Sequence, residues 1–240
     1  MDQSELIKRT IFWADRIRKW GIEWITGIYP SEMAFLLGAC DLADVCSIVE
    51  SGRGTHAYST KILGEYSREK DVRVISLDLE PHSKHAFGKE LEKYPRLKCA
   101  SGDSFSKMPV ILEDLQGGQW GPIALLIDGP KQHMANKLSS VACSLYNISV
   151  IAHHNCEKNT SFWDEFLMLY PKAVHHEDAM NGSEWLSFKE WEKGEVGKQQ
   201  LNRPIDPSSL ALSFVTKPPK PLSRFLRWKW KFIGFWSLWL

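Results

Sequence analysis

The chain contains no run of about 18 apolar residues, so no segment is expected to cross a bilayer as a helix. Cysteine is scarce. Cys40, Cys46, Cys99, Cys143 and Cys156 are odd in number and include no CxxC pair, which argues against a zinc ribbon or a disulfide scaffold. Cys46, Cys99 and Cys143 lie in apolar surroundings and read as small buried hydrophobes. Neither charge sign is in excess: 30 Lys and Arg face 29 Asp and Glu, which argues against a general nucleic-acid binder. Internal repeats and low-complexity segments are missing too. No secretory apolar core follows the charged N-terminal residues, and the expected compartment is reducing and cytoplasmic. After Asp206 there is no acid at all, while Lys217, Lys220, Arg224, Arg227, Lys229 and Lys231 follow. The tail is therefore basic and the body mildly acidic.

What is present is an alternation. Leu6, Thr10, Trp13, Ile17 and Trp20 recur at spacings of four and three, which predicts an amphipathic helix over the first 25 residues. A second helix is predicted over 31–41. Short apolar runs at 46–50, 72–77, 97–100, 123–127 and 148–152 read as strands covered on both faces. Helical patterns at 57–66, 83–93, 109–115 and 134–145 separate them. This order implies a doubly wound, mostly parallel α/β sheet. A helix at 160–170, a strand near 173–175 and a last strand at 210–215 suggest a terminal antiparallel hairpin that brings the sheet to seven strands. The polar stretch 181–209, with three Gly and two Pro, is expected to be a long loop. The sequence divides into an N-terminal helical segment (1–30), the α/β domain (31–217) and, past a stiff Pro-rich linker, a tail (218–240).

The strand ends carry the chemistry. Val49-Glu50-Ser51-Gly52-Arg53-Gly54 is an apolar run that meets an acid and then two glycines, the form of a strand turning sharply into a helix beside a ligand. Leu77-Asp78, Gly102-Asp103 and Ile127-Asp128 are three further acidic strand ends. Any one acid could serve only as a cap or a solvated turn; four in order are harder to dismiss. A dinucleotide site competes, because Gly52-Arg53-Gly54-Thr55-His56-Ala57 fits the loose Gly-x-Gly-x-x-Gly/Ala pattern with Asp78 at a suitable distance. Glu50 and the two later acidic ends have no role in that reading.

In this order, the acidic strand ends resemble the class I S-adenosylmethionine-dependent methyltransferases, over about residues 30–215. The resemblance implies a Rossmann-like fold and a cofactor site built from Glu50, Gly52, Gly54, Asp78, Asp103, Ser104 and Asp128, with Asp78 on the ribose hydroxyls. The glycines would let the backbone approach the methionine portion, and Glu50 would fix that turn or help hold the ammonium group. Ile127-Asp128-Gly129-Pro130-Lys131 looks like the fourth strand end of small-molecule O-methyltransferases. Asp128 and Asn155 match two metal-binding positions of the metal-dependent members, and His154 stands where a second Asp would be. Three readings of His153-His154-Asn155 stay open: a general base, a divalent metal site formed by Asp128, His154 and Asn155, and a solvated pair. His133 could face the acceptor.

On a helical projection of the tail, Arg224, Arg227 and Lys231 share one face. Leu222, Phe225, Leu226, Phe232, Ile233, Trp236 and Trp239 share the other, with Lys229 and Leu238 as exceptions. This predicts an interfacial helix in which residues 222–240 meet an anionic membrane on its inner face, against the alternative of packing on the body. Trp13, Trp20 and Trp24 could extend the same surface. The resulting expectation is a cytoplasmic, peripheral-membrane transferase. It would methylate a hydroxyl of a small-molecule, sugar or lipid-linked acceptor, with oligomerisation left open. An NAD(P)-dependent oxidoreductase and a non-catalytic membrane-associated protein of the same fold are the alternatives.

Overall fold

The computed structural model describes residues 2–84, 87–118, 121–180, 182–199 and 209–237. Seven strands form one sheet: β1 (Ser47–Ser51), β2 (Arg73–Asp78), β3 (Leu97–Ser101), β4 (Ile123–Ile127), β5 (Ile148–His153), β6 (Val174–His175) and β7 (Ala211–Phe214). Their order is β3-β2-β1-β4-β5-β7-β6. The first five are parallel, and β7 runs antiparallel between β5 and β6. The seven strands and the antiparallel hairpin match the sequence expectation.

Successive strand residues face opposite sides of a sheet, and two cores result. Ile48, Val74, Leu126 and Val150 pack on the side of α1 (Gln3–Trp20), α2 (Pro30–Leu42) and α3 (Tyr58–Lys70). Val49, Ile75, Leu125 and Ile151 pack on the side of α5 (Ser104–Gly117), α6 (His133–Leu145) and α7 (Ser161–Leu169). Every residue of β1 and β4 is buried, as continuous apolar runs require when both faces are covered. The predicted helix at 83–93 is reduced to a short turn at His82–Lys84 and the one-turn α4 (Gly88–Leu91), while α5 begins five residues before the prediction because Asp103 caps it.

Helix α1 starts on Asp2, whose carboxylate accepts from the N–H groups of Ser4 and Glu5, and stops at Gly21 in the left-handed region. Its face of Leu6, Trp13 and Ile17 belongs to the main core. Trp13 meets Tyr66 edge-on at 4.7 Å, and Trp24 stacks on Tyr29 at 5.2 Å. Two of the three N-terminal tryptophans are thus spent inside the body. Trp20 is only partly buried, but its Nε1 donates to Glu69 on α3. None of the three extends the tail surface.

Two expectations need correction. Cys46, read as a small buried hydrophobe, is exposed, and of the three read that way only Cys143 is buried. The stretch 181–209 is not one long loop, since α9 (Ser183–Gln199) occupies much of it; residues 181 and 200–208 lie outside the described residues. Trp185, Phe188, Glu192 and Val196 are all buried and form a helical stripe at spacings of three and four. A charged residue inside that stripe hides it from a hydrophobicity count. Glu192 is buried because it caps α2 from a distance: its carboxylate accepts from Ser31 N at 2.6 Å and Ser31 Oγ at 3.1 Å. The tail is helical, as α10 (Arg224–Ser237), and one face of it packs on the body. Leu226 and Trp230 are buried on the α5/α6 side, Trp230 Nε1 donates to Phe105 O at 2.8 Å, and Leu222 N donates to Ser140 Oγ at 3.1 Å.

The crossing of α1 and α2 depends on Gly38. A Cβ there would stand 2.6 Å from Thr10 Oγ1 and 2.8 Å from the Thr10 backbone nitrogen, so no rotamer change relieves it. Alanine in a helix interior normally gains about 1 kcal/mol over glycine, whereas overpacking costs about 1–3 kcal/mol. Gly38→Ala should therefore lower the urea-unfolding free energy by about 1–2 kcal/mol. Gly117→Ala, which meets nothing within 4 Å, should not. Equal stability of the two variants would refute the close crossing.

Candidate functional site

The carboxyl ends of β1–β4 lie side by side, because the parallel register pairs Ser51 with Leu77 and Ile127, and Asp78 with Ser101. A cleft of about 180 Å³ opens there, lined by Gly52, Asp78, Leu79, Asp103, Ser104, Gly129 and Pro130. Four of the seven predicted cofactor residues thus converge on one cavity. The cleft sits where the strand order reverses about β1, the switch point at which open α/β sheets take ligands.

Asp78 is held by three backbone donors. Its Oδ2 accepts from Arg53 N at 2.8 Å and Gly54 N at 3.1 Å, and its Oδ1 from Glu80 N at 3.1 Å. The glycine loop thereby wraps around the end of β2. Gly54 contributes through its N–H and its left-handed φ of 69°. Gly52 is needed for a reason the sequence did not show. A Cβ there would lie 2.5 Å from Gly129 N and 2.9 Å from Asp128 C, so the β1 and β4 loops touch backbone to backbone. Ser51 Oγ bonds Gly129 O and meets Ser104 Oγ at 2.7 Å, which ties the same loops to the start of α5. Asp103 caps that helix by accepting from Ser106 N at 3.0 Å.

Glu50 does not face the cleft. It shares the Ile48 side of β1, is fully buried, and accepts from Ser59 Oγ, from Thr60 Oγ1 at 2.6 Å and from Ser76 Oγ at 2.5 Å. Burial pushes its carboxyl above the usual range, and the three hydroxyls and the nearby Arg53 hold it back only in part. It anchors α3 and β2 to β1, and its placement on an ammonium group is corrected accordingly.

The β4–β5 end holds a chain of charges. Asp128 Oδ1 accepts from His154 Nδ1 at 2.7 Å and from Lys131 Nζ, and Lys131 Nζ also reaches Asn155 Oδ1. On its far side His154 Nε2 stands 3.6 Å from Glu32, whose carboxylate takes the N–H groups of Tyr29 and Ser209, each at 2.7 Å. Burial works against a charged His154, but Glu32 and Asp128 outweigh it and hold the imidazole above its ordinary value. Asp128 is likewise pushed up by burial, yet His154 and Lys131 bring it below the usual carboxylate range. Glu32, fully enclosed, is raised by burial.

This geometry bears on all three open readings of the histidine pair, which is not solvated: His153 is fully buried and the His154 side chain is 9% exposed. His154 has Nδ1 on Asp128 and Nε2 3.6 Å from Glu32, so the ring clamps two acids and presents no free nitrogen to an acceptor. His153 is fully buried, stacked on Phe162 at 5.8 Å and tilted on Phe166 at 4.6 Å, and burial lowers it to about 3. It belongs to the core and cannot meet an acceptor. A divalent ion fits poorly as well. The oxygens of Asp128 and Asn155 converge on the Lys131 ammonium, and both nitrogens of His154 face acids. Among the described residues, no group of three or more His, Cys, Asp or Glu stands in a metal-holding arrangement.

A second cavity, of about 380 Å³, lies along the same β4 loop. It is lined by Lys131, Gln132, His133, Asn155, Glu157, Thr160, Ser161 and Phe162. Gln132 takes a φ of 54° with ψ of −135°, a costly conformation for a residue with a side chain. Sequence reasoning passed over Lys131 and Glu32 as site residues. Lys131 follows a turn pair, and Glu32 reads as an ordinary first-turn acid.

No family model and no curated protein matches the chain. Among solved structures it is similar to cofactor-bound Rv0187 from MTB, at 15% identity and a TM-score of 0.47, over 88% of this chain and 89% of that one. It is similar to the O-methyltransferase TomG from Streptomyces achromogenes in complex with SAM, at 14% identity and 0.44, over 87% and 90%. It is also similar to the SAH-bound methyltransferase PaMTH1 from Podospora anserina, at 13% and 0.44, over 89% and 88%. At such identities, and with TM-scores below 0.5, these likenesses carry no argument about this chain's chemistry.

Because an ammonium fills the cation position, the wild-type melting temperature should not respond to millimolar Mg²⁺ or Mn²⁺, nor to EDTA. Lys131→Ala should open the Asp128–Asn155 oxygen pair and allow a divalent-ion response. A metal-dependent shift in the wild type, read by differential scanning fluorimetry, would restore the metal reading.

Proposed function

We propose that the chain is an S-adenosylmethionine-dependent methyltransferase acting on a hydroxyl of a small-molecule, sugar or lipid-linked acceptor. The observation that carries this reading is the cleft at the ends of β1–β4, where Gly52, Asp78, Asp103, Ser104 and Gly129 converge. A carboxylate offers about four acceptor sites, so the three N–H groups that orient Asp78 leave capacity for a ribose hydroxyl. Charge-assisted bonds of that kind are stronger than neutral ones. Leu79, 74% exposed beside it, offers an apolar face to a nucleobase. When bound, the cofactor would supply an electrophilic methyl on a sulfonium. The protein's share is to orient the partners, exclude water and take the acceptor proton.

The dinucleotide reading is weaker on topology. Its usual strand order is 3-2-1-4-5-6, whereas here an antiparallel β7 is inserted between β5 and β6. Calorimetry separates the two. Asp78→Ala should weaken S-adenosylmethionine binding by about 1.5–3 kcal/mol, the range for hydrogen bonds to a charged group. Tight NAD(P) binding by the wild type, with no affinity for the sulfonium, would reverse the ranking.

The proposal extends to a membrane. With Leu226 and Trp230 turned inward, α10 presents Phe225, Trp228 and Phe232 outward, 72%, 63% and 54% exposed. Trp228 stacks on Phe232 at 5.8 Å and lies 6.4 Å from Phe225. Arg224, Lys229 and Lys231 are exposed on the same helix. An aromatic ridge bordered by cations suits an anionic bilayer surface, at about 1 kcal/mol per basic residue near the headgroups. None of the described helices is long and apolar enough to cross one. Full-length protein should co-sediment with phosphatidylserine vesicles, less so in high salt, and a Trp228→Ala/Phe232→Ala variant should lose most of that binding. Unchanged sedimentation of the variant would remove the ridge from the contact.

A further inference from the structure

The second cavity contains a catalytic-type arrangement that neither the cofactor cleft nor the Asp128 charge chain uses. His133 opens α6, 56% exposed, and forms part of the cavity wall. Its Nδ1 stands 3.0 Å from Glu165 Oε2 on α7. The same carboxylate oxygen accepts from Asn136 Nδ2 at 2.9 Å. Asn136 is fully buried and donates also to Phe162 O at 3.1 Å, so a locked amide fixes the carboxylate, which in turn fixes the ring. On the other side His133 Nε2 meets Ser161 Oγ at 3.5 Å.

For a neutral ring these contacts favour one tautomer. A carboxylate can only accept, so Nδ1 carries the hydrogen and donates to Glu165. Nε2 is then bare and can accept a hydroxyl hydrogen bond, with Ser161 Oγ 3.5 Å away. An imidazole oriented by a buried-side carboxylate with its second nitrogen facing a hydroxyl is the arrangement of a general base. The charged groups around the ring are Glu165 on α7 and, across the cavity, Lys131 and Glu157.

Position agrees with chemistry. The β4 loop lines the cofactor cleft with Gly129 and Pro130 and the second cavity with Lys131, Gln132 and His133. Gln132, in its strained conformation, stands between the two, and His133 follows it into the wall of the second cavity.

We propose that His133, oriented by Glu165, is the catalytic base that takes the acceptor hydroxyl proton, and that the second cavity holds the acceptor. This deepens the methyl-transfer reading and rests on it. The acceptor oxygen's lone pair forms the new C–O bond as the methyl's bond to sulfur breaks, with that electron pair remaining on sulfur. The hydroxyl proton passes to His133 Nε2, Glu165 stabilises the imidazolium, and the exposed ring returns the proton to solvent. Ser161 marks the place of the incoming hydroxyl and is displaced by it.

The test uses the full chain labelled with ¹⁵N-histidine, the His133 signals being assigned by their loss in His133→Gln. The neutral ring should show Nδ1 protonated and Nε2 bare, and Glu165→Gln should erode that preference. With S-adenosylhomocysteine bound, 4-nitrophenol as the probe hydroxyl should shift the Nε2 signal. For any hydroxyl compound the wild type methylates, His133→Gln should cost roughly 10²–10⁴-fold in turnover while leaving S-adenosylmethionine affinity unchanged by calorimetry. A ring protonated at Nε2, or an Nε2 signal indifferent to the phenol while the cofactor still binds, overturns the base and leaves the methyl-donor reading intact. Absence of cofactor binding in the wild type overturns both.

Discussion

The backbone contact between Gly52 and Gly129 is the constraint on which the site depends. It brings the β1 and β4 loops closer than any side chain would allow. The closeness lets Ser51 bond Gly129 O and reach Ser104, so three loops from three strands are fixed against one another. With the β4 loop held there, Asp128 meets Lys131 and His154, and the loop continues through Gln132 into α6. The cofactor cleft and the second cavity are two sides of one restrained segment. Displacing it would disturb both.

Burying acids is the second theme, and each instance has partners that make it tolerable. Glu32 takes two backbone N–H groups and faces His154; Glu192 takes the N-terminus of α2; Glu50 takes three hydroxyls. An unpaired buried charge costs several kcal/mol, so these contacts are strongly determined. They also connect remote parts of the chain. Glu32 sits at the start of α2 and, through His154, bears on the position of Asp128. A change far from the cleft in sequence can therefore reach the charge chain.

Much of this was legible in the sequence, and the failures have specific causes. The acidic strand ends were readable because each closes an apolar run, and parallel register then sets such ends side by side. The histidine pair was readable only in part. β5 ends at His153 and His154 already lies in the turn, so nothing local said which ring enters a core. Only the packing of Phe162 and Phe166 decides it. Glu50 follows the alternation of strand faces: two residues after Ile48, it faces the helices and not the strand ends. Helix α9 was missed because a buried glutamate interrupts its apolar stripe. The tail helix was readable, but dividing its aromatics between an inward pair and an outward ridge required a surface to pack against. His133 and Glu165 are 32 residues apart, and no local pattern joins them.

The strand order has a bearing on how the chain is made. Among the described residues, β6 pairs with β7 alone, and β7 is the last strand to be synthesised. Until it emerges, β6 has no ladder to join and β5 presents an open edge, the kind of surface on which nascent chains associate wrongly. The final cap on Glu32, the N–H of Ser209, arrives in the same step. A ribosome-bound chain lacking its last strand would thus hold a nearly complete parallel sheet whose buried acid is still unfinished. Closing the sheet and settling that charge are one late event, so a truncation within 209–214 should be far more damaging to production of the protein than its small loss of mass implies.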